Sequence, residues 1–283
     1  MAPQPLTVLP VRAPVQTRAF DLHTTIIDAL AASGDRLQDG DVLAVSSKYA
    51  AISEGRVVTM ADVVVTPEAE ALAARYHMNP VMAQLVLQEA DHIFGGIELG
   101  FLLTYKDGVL SPNAGLDRSN IPSGQVVLFP QYPYATAEGI RQALRAQFGV
   151  QIGVVLTDSW LMPGRLGTTG VALATAGFRP VQDERGKADL FGNPMAVTQR
   201  GIADSISIAA QLVMGERDEA TPIAIVRHAG VQLTDAPISQ EDVAIPWQMC
   251  IYVESLTVGL LPGGAPAESF SARYQHTNSK VTG

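Results

Sequence analysis

The run IGVVLTD, residues 152–158, predicts a very apolar strand, because a short apolar run bounded by turn residues is typical of a buried strand. A helical pattern precedes it at residues 136–149, and a span rich in Gly and Thr follows it at residues 163–177. Farther out, helix-like and strand-like segments mix without a regular βαβ repeat. The expected fold class is therefore α+β, with mixed sheets and packed helices.

The remaining segments give further predictions of helices and strands. Thr66 and Asn79 each precede a proline, which is typical of a helix N-cap followed by proline at the first helical position. Helical spacing is present at residues 20–34, 66–78, 79–94 and 202–216. Strands are predicted at residues 38–48, at 101–115 as two strands around a Lys-Asp-Gly turn, and at 125–130, 189–199 and 222–230.

Length and composition indicate a globular protein of acidic charge. The chain has 283 residues, of which 47% are apolar and 17% charged, so it can bury a large core. Residues 1–263 are predicted to form one unit, or two interleaved subdomains, and residues 264–283 a polar C-terminal tail. The net charge of −9 argues against nucleic acid as a partner, because an acidic surface repels phosphate backbones.

Cysteine content and hydropathy bear on the compartment. Cys250 is the only cysteine, so an intrachain disulfide and a cysteine-based metal site are both excluded. No run approaches the roughly 20 apolar residues of a membrane span, and the first residues contain no continuous apolar segment of the signal-peptide kind. We therefore expect a cytoplasmic protein without a membrane partner.

Three segments concentrate polar oxygen groups. The stretch SPNAGLDRSN, residues 111–120, contains Asp117 and Asn120; Asp158 and Ser159 follow the apolar run described above; and Glu216 lies in LVMGERDE, residues 212–219. Cations that bind phosphate prefer carboxylate, hydroxyl and carbonyl ligands, often supplied by different loops. The end of an apolar strand is a usual position for functional side chains. These three segments are candidates for one shared site.

Each segment also has a purely structural interpretation. Asp117 and Asn120 could form an Asx-turn that only shapes the backbone. Asp158 and Ser159 could be the N-cap of a helix, and Glu216 could be a solvated acid beyond a helix end. Spacing alone leaves these alternatives open.

Several motifs in order resemble one known family, the coenzyme F420:L-glutamate ligases. The motifs are LPV at residues 9–11, GDVLAVSSK at 40–48 with SEGR at 53–56, NAGLDRSN at 113–120, GVVLTDS at 153–159, KADLFG at 187–192, IAD at 202–204 and LVMGE at 212–216. The resemblance runs from about residue 9 to about residue 230. It implies a ligase-type α+β fold that forms an intertwined homodimer, and glutamate addition to the lactyl carboxylate of a deazaflavin cofactor.

The resemblance also implies roles for residues. The implied metal ligands, for two Mg²⁺ or Mn²⁺ ions per site with K⁺ as an additional candidate, are Asp117, Asp158, Ser159 and Glu216. The implied contacts of GTP, the co-substrate, are Ser47, Lys48, Asn120, the backbone from Pro10 and Val11 to Ala13, and the loop from Met214, Gly215 and Arg217 to Thr221. The expected catalytic set is Asp117, Asp158, Lys48 and Arg165. Gly115 would let the backbone approach the phosphates.

The chain departs from the family pattern at three places. Ile52 stands where the family commonly has Lys, the segment Trp160–Met162 replaces a Gly-Arg pair, and Ser205 replaces Glu after Asp204. Lys48 and Arg165 are the nearby residues that could compensate for the lost charges. These departures put the identity of the acceptor substrate in question more than the class of reaction.

Three functions follow as alternatives. The first is the deazaflavin-cofactor ligase, with a nucleoside triphosphate, L-glutamate and a carboxylate acceptor as substrates and an acyl phosphate as intermediate. The second is a paralogous amide ligase that acts on a different carboxylate. The third is a non-catalytic nucleotide-binding relative, against which the intact acidic residues argue.

Overall fold

The computed structural model describes residues 4–253, which contain six helices and twelve strands in the described part. The helices are α1 (Leu22–Ser33), α2 (Ser47–Ser53), α3 (Pro67–Tyr76), α4 (Pro80–Glu89), α5 (Pro133–Phe148) and α6 (Ile202–Met214). The strands are β1 (Thr7–Val11), β2 (Val42–Ser46), β3 (Val57–Thr59), β4 (His92–Ile97), β5 (Phe101–Lys106), β6 (Val109–Pro112), β7 (Gln125–Val127), β8 (Gly153–Leu161), β9 (Thr168–Ala176), β10 (Val181–Asp183), β11 (Gln199–Gly201) and β12 (Ile223–Arg227).

A five-stranded sheet in the order β1-β12-β2-β8-β9 is the central element. The pair β2–β8 is parallel, and the other three neighbouring pairs are antiparallel. Smaller sheets are formed by β4-β5-β6, by β3-β7 and by β10-β11. This mixture of parallel and antiparallel pairing confirms the predicted α+β class with mixed sheets.

Both faces of the central sheet are buried. Leu43, Val45 and Leu156 pack on one face against α1 and α5. Val42, Ala44 and Val155 pack on the other face against α6. Because alternate residues of a strand point to opposite faces, covering both faces explains why β2 and β8 are apolar at nearly every position.

The predicted helix caps are confirmed. The Thr66 side chain accepts a hydrogen bond from Ala69 N at the start of α3, and Asn79 accepts one from Val81 N at the start of α4. Gly34 ends α1 in the left-handed conformation, with φ of 78°. Glycine adopts this conformation without the Cβ penalty of other residues.

Several segments differ from the sequence prediction: the strand predicted at residues 38–48 ends at Ser46, where the unpredicted helix α2 follows, and three further differences are larger. Residues 189–199, predicted as a strand, instead form turns up to the start of β11, because the Asp189 carboxylate accepts hydrogen bonds from Phe191 N and Asn193 N. The Gly- and Thr-rich span contains the long strand β9. The helix predicted at residues 79–94 ends at Glu89, and His92 begins β4.

Backbone contacts divide the chain into a first unit, residues 1–243, and a second that begins at residue 244. In the described part of the second unit, Trp247–Met249 form a single 3₁₀ turn. The polar tail predicted at residues 264–283 lies outside the described residues. Among residues 4–253, none of the helices has the length and apolar character needed to cross a membrane.

Candidate functional site

One cavity of about 780 Å³ gathers the three predicted segments. Its lining includes Asp117 and Asn120 from the loop after β6, Asp158 and Ser159 from β8, and Glu216 from the loop after α6. The lining also includes Lys48, Met214, Gly215 and Arg217, which were predicted as nucleotide or catalytic residues. The segments are about 40 to 60 residues apart in the chain, and the fold brings them together.

Asp158 lies within β8 rather than at its end, because β8 pairs with β9 as far as Leu161. This placement excludes the N-cap interpretation. Asp158 Oδ2 accepts a hydrogen bond from Ser47 Oγ at 2.7 Å, and Oδ1 accepts one from Ser159 N at 2.8 Å. Both donors are uncharged, and burial raises the pKa of Asp158 to about 6 although these bonds oppose the shift.

Asp117 is held by its backbone and by its side chain. It exchanges two backbone hydrogen bonds with Val127, of 3.0 and 2.9 Å. Its Oδ1 accepts from Ser119 N at 2.7 Å, so the Asx-turn interpretation is correct as well. Its Oδ2 lies 2.6 Å from Lys48 Nζ. Burial acts to raise the pKa of Asp117, but the charge and hydrogen bonds of Lys48 and Ser119 outweigh it and lower the pKa.

The turn before Asp117 is left-handed. Asn113, Ala114 and Gly115 have φ of 49°, 54° and 70°, and non-glycine residues rarely adopt this conformation. Ala114 N donates a hydrogen bond of 2.8 Å to Thr104 Oγ1, which stabilises the turn. A Cβ atom on Gly115 would lie 2.7 Å from the ring of Phe129, so this glycine is required for packing within the protein.

Glu216 connects α6 with β8 and β9. Its Oε2 accepts a hydrogen bond from Ser159 Oγ at 3.1 Å, and its Oε1 accepts from Thr168 Oγ1 at 3.4 Å and from the Gln211 side-chain amide. Asn120 Nδ2 donates to the Glu216 carbonyl at 3.3 Å, which joins the Asp117 loop to the Glu216 loop. Glu216 is therefore fixed by neutral donors and is not simply a solvated acid.

Four predicted site residues lie outside the cavity lining, and the structure describes all of them. Pro10 and Val11 belong to β1, and Val11 is fully buried, although Ala13 beyond them does line the cavity. Ser47 contacts the site through Asp158. Arg165 is exposed in the β8–β9 connection, where its N–H closes a turn onto the Met162 carbonyl at 3.2 Å.

The charge of the cavity is strongly acidic. Five carboxylates line it, against one lysine and one arginine; the acids are Asp117, Asp158, Glu216, Asp218 and Glu219, and the bases are Lys48 and Arg217. A polyphosphate would be repelled by this lining unless cations neutralise it. The lining contains carboxylates and hydroxyls but no His or Cys, and oxygen ligands are those that Mg²⁺ and Mn²⁺ prefer.

The side chains are not arranged as a closed metal centre. Within residues 4–253, no group of three or more His, Cys, Asp or Glu side chains is placed to hold a metal ion. Lys48 contacts Asp117, and hydroxyl and amide donors contact Glu216. Asp158 is partly exposed to the cavity, and its hydrogen bonds come only from the neutral donors Ser47 and Ser159, so no cationic side chain is bonded to it. In donor type and charge, the site therefore fits a divalent ion.

Several lining residues were not predicted from the sequence. Gln211 and Ser119 line the cavity and donate to Glu216 and Asp117. Thr168 reaches Glu216 from the start of β9. A polar Gln in the otherwise apolar stretch of α6, five residues before Glu216, is the one local signal that could have identified Gln211.

Two of the three positions that depart from the expected family pattern lie in the cavity wall. Ile52 and Trp160 line the cavity, and both are largely buried. Ile52 packs with Ala51 and Val127, and Trp160 packs with Phe129 and Leu173. Ser205, by contrast, is exposed and donates to the Gly201 carbonyl at 2.7 Å.

Comparison with known proteins identifies the family. The profile of the family described as F420-0:gamma-glutamyl ligase matches residues 10–228. The coenzyme F420:L-glutamate ligase of Methanopyrus kandleri is 36% identical over 201 residues, which cover 70% of this chain and 79% of that protein. The enzymes of the same name from Methanothermobacter thermautotrophicus (33%, covering 73% and 82%) and Haloarcula marismortui (38%, covering 69% and 80%) are similarly related. The chain belongs to the F420-0:gamma-glutamyl ligase family, and the predicted resemblance is confirmed.

Proposed function

We propose that this chain is a GTP- and divalent-metal-dependent amide ligase that joins L-glutamate to the carboxylate of a deazaflavin cofactor precursor. The observation that carries this proposal is the convergence of Asp117, Asp158 and Glu216 on one large acidic cavity. Membership of a glutamate ligase family supports the reaction class. The cofactor precursor and glutamate are the substrates that the names of the relatives indicate.

The proposed reaction has two steps. In the first, an oxygen of the acceptor carboxylate attacks the terminal phosphorus of GTP, the bond to GDP breaks, and an acyl phosphate forms. In the second, the glutamate amine attacks the acyl carbon, phosphate leaves, and the amine nitrogen loses its proton. The contribution of the protein is to align the groups and to stabilise charge on the transferred phosphoryl group.

The metal ligands we propose are Asp117, Asp158, Ser159 and Glu216, which contribute oxygen donors to the cavity. Divalent ions bound by these residues would neutralise charge on the phosphoryl oxygens. Asn120, which already bridges to the Glu216 carbonyl, would hold the Asp117 and Glu216 loops together around the nucleotide. Ser47 would orient Asp158 through its 2.7 Å hydrogen bond.

Lys48 is the proposed phosphate ligand from α2. Its ammonium group contacts Asp117 Oδ2 at 2.6 Å and Ser119 Oγ at 2.9 Å, so it lies next to the proposed metal ligand. When a cation and a phosphate are both bound beside an ammonium group, the ammonium group is expected to donate its hydrogen bonds to a phosphate oxygen. Arg165, exposed and outside the lining, would contribute only if the β8–β9 connection approached the cavity with substrate bound.

A second candidate, a ligase for a different carboxylate, is favoured by one observation. Ile52 and Trp160 give the cavity two apolar wall residues where the family resemblance predicts basic residues nearby. An acceptor with a negatively charged tail needs charge-assisted hydrogen bonds, each worth on the order of 1.5–3 kcal/mol. A less charged carboxylate would not need them.

Product analysis with purified protein tests the proposal. GTP, Mn²⁺, L-glutamate and the deazaflavin acceptor are combined, and GDP release is measured with mass spectrometry of the acceptor. We expect one GDP per glutamate added and loss of both signals on chelation of the metal. Tight GTP binding without glutamylation, together with GDP release on a different carboxylate, would favour the second candidate. Absence of GTP binding would contradict the proposal.

We also propose that the chain works as a homodimer. Large apolar side chains are exposed on the first unit, among them Leu99 (76%), Leu190 (99%) and Phe191 (89%), and a contact between two copies of the chain would remove such side chains from water. Light scattering over micromolar concentrations should give about twice the 30.0 kDa mass of the chain. A mass of one chain throughout that range would refute the dimer.

A further inference from the structure

Helix α6 contacts β9 at three successive points that lead to Glu216. Ala172 N donates a hydrogen bond of 2.9 Å to Asp204 Oδ1 in the first turn of the helix. Gly170 then lies directly against the helix backbone at Ser207. Thr168 Oγ1 finally donates to Glu216 Oε1 at 3.4 Å, just beyond the helix end. Three alternate residues of β9 thus contact successive parts of the segment from α6 to Glu216. The contacts move toward the start of β9 as they move toward the end of α6.

The same three residues of β9 set the position of the site on β8. Ala172 pairs with Thr157, Gly170 with Ser159, and Thr168 with Leu161. A register shift between Leu156 and Thr157 marks a bulge immediately beside Ala172. Asp204 therefore binds α6 to β9 beside the bulge, at the point where the pairing of β9 with the cavity end of β8 begins.

Asp204 is an unusual choice for a contact between a helix and a sheet. Around it the packing is apolar, through Ala203, Ile206 and Ala210, and apolar contacts alone permit a helix to slide along a strand. A carboxylate that accepts one backbone N–H has a directional preference, so it fixes the helix along the strand axis. Asp204 is absent from the cavity lining, although the structure describes it.

Gly170 fixes the distance between the helix and the strand. A Cβ atom there would lie 2.3 Å from the Ser207 carbonyl oxygen and 2.7 Å from Ile208 N. Both neighbours are backbone atoms, so the helix would have to move to make room. Because Ser159 is paired with Gly170, such a movement changes the separation between Ser159 and Glu216.

We infer that Asp204 and Gly170 are positioning residues, which hold α6 in the one placement that brings Glu216 to Ser159. The inference rests on the proposed function in one respect, namely that Glu216 is a metal ligand. Neither residue lines the cavity, although the structure describes both. Their effect on the site is exerted through the carboxylate of Glu216.

Affinity for Mn²⁺, measured by calorimetry on the purified full chain, tests the inference without any turnover. Glu216→Gln should weaken Mn²⁺ binding by at least about tenfold, and Asp204→Ala and Gly170→Ala by about tenfold, the usual effect of losing an outer-shell partner. Asp204→Asn keeps an oxygen acceptor for Ala172 N and should stay within about twofold of wild type. Gly139→Ala is the matched control, because its Cβ would meet only the His23 side chain.

The double variant Asp204→Ala with Glu216→Gln separates positioning from general stability. If Asp204 acts through Glu216, the double variant should bind Mn²⁺ no more weakly than Glu216→Gln alone. Additive losses, or a lower melting temperature with unchanged Mn²⁺ affinity, would overturn the inference. If Asp204→Ala does not fold, the same cycle with Gly170→Ala decides it. Unchanged affinity in Glu216→Gln itself would instead refute the proposed metal ligand.

Discussion

The two ends of the central sheet each carry an aspartate, and the two carboxylates have different surroundings: Asp41 is buried, whereas Asp158 is partly exposed and lines the cavity. Asp41, just before β2, is 1% exposed, and both of its oxygens accept from Arg227 at 2.9 and 2.8 Å. Asp158 lies toward the opposite end of the sheet and accepts only from Ser47 and Ser159. One end therefore has an ion pair, whereas the other has a carboxylate that is bonded only to neutral donors.

This difference separates structural acids from functional ones. A buried carboxylate paired with a bidentate arginine has its charge compensated within the protein. A carboxylate with only neutral donors, at a partly enclosed position, has a charge that either a proton or a bound cation can compensate. Proteins keep carboxylates of this kind mainly at functional sites. The comparison therefore favours the β8 end as the functional end without reference to any motif.

The largest effect is expected from Asp158→Asn. Turnover of GTP should fall by about a thousandfold or more, equivalent to about 4 kcal/mol in the barrier, because the carboxylate that we propose as a metal ligand is lost. The melting temperature should stay within a few degrees of wild type. Asp183→Asn, at an exposed acid paired with Arg185, is the control and should turn over normally. Near-normal turnover of Asp158→Asn would remove the basis of the comparison.

The next largest effect is expected at the other end, from Arg227→Leu. Removal of one partner leaves Asp41 buried and unpaired, which typically costs about 3–5 kcal/mol in the free energy of unfolding. Urea denaturation measures this loss. Turnover per folded molecule should remain near wild type at low temperature. A variant that kept its stability but lost turnover would reverse the roles assigned to the two ends.

A smaller effect is expected from Lys48→Met. Lys48 supplies the only ammonium group that lines the cavity within the described residues, and loss of one charge-assisted hydrogen bond costs about 1.5–3 kcal/mol. The KM for GTP should therefore rise by about ten- to a hundredfold. Lys187→Met, at an exposed lysine paired with Glu184, should leave the KM unchanged. An unchanged KM in Lys48→Met would exclude it as a phosphate ligand.

The smallest effect is expected from Arg141→Leu on α5. Arg141 is paired with Glu138 and Asp235, and both acids are more exposed than Asp41. Arg141 lowers the pKa of Glu138 and Asp235 through hydrogen bonds. Acids with lowered pKa stabilise the fold above their unfolded pKa, and this contribution is lost as the pH falls through the folded pKa. Thermal melts should show wild type more stable at pH 7, with the difference shrinking below about pH 4. A difference that grew on acidification would contradict the assignment.

Local sequence was sufficient for many elements. Thr66, Asn79 and Gly34 act as the predicted helix caps, because a cap depends on the conformation and side chain of one residue and its neighbours. The apolar run before Asp158 correctly indicated a strand. The strand predicted at residues 189–199 was wrong because the Asp189 carboxylate accepts hydrogen bonds that form turns there. Strand β9 was missed because glycine and threonine carry little periodic signal.

The residue types of the site were likewise available from the sequence, and the motifs around Asp117, Asp158 and Glu216 sufficed to predict the family that the comparisons confirm. Their spatial arrangement was not. That Glu216 reaches Ser159, and that Lys48 contacts Asp117, depends on how α6 and α2 pack on the sheet. The pairing of Asp41 with Arg227, 186 residues apart, was equally invisible. Short-range patterns specify elements and motifs, whereas the partners of charged side chains come from distant segments. Only the tertiary structure therefore decided which acids are paired with a cationic side chain and which are bonded to neutral donors alone.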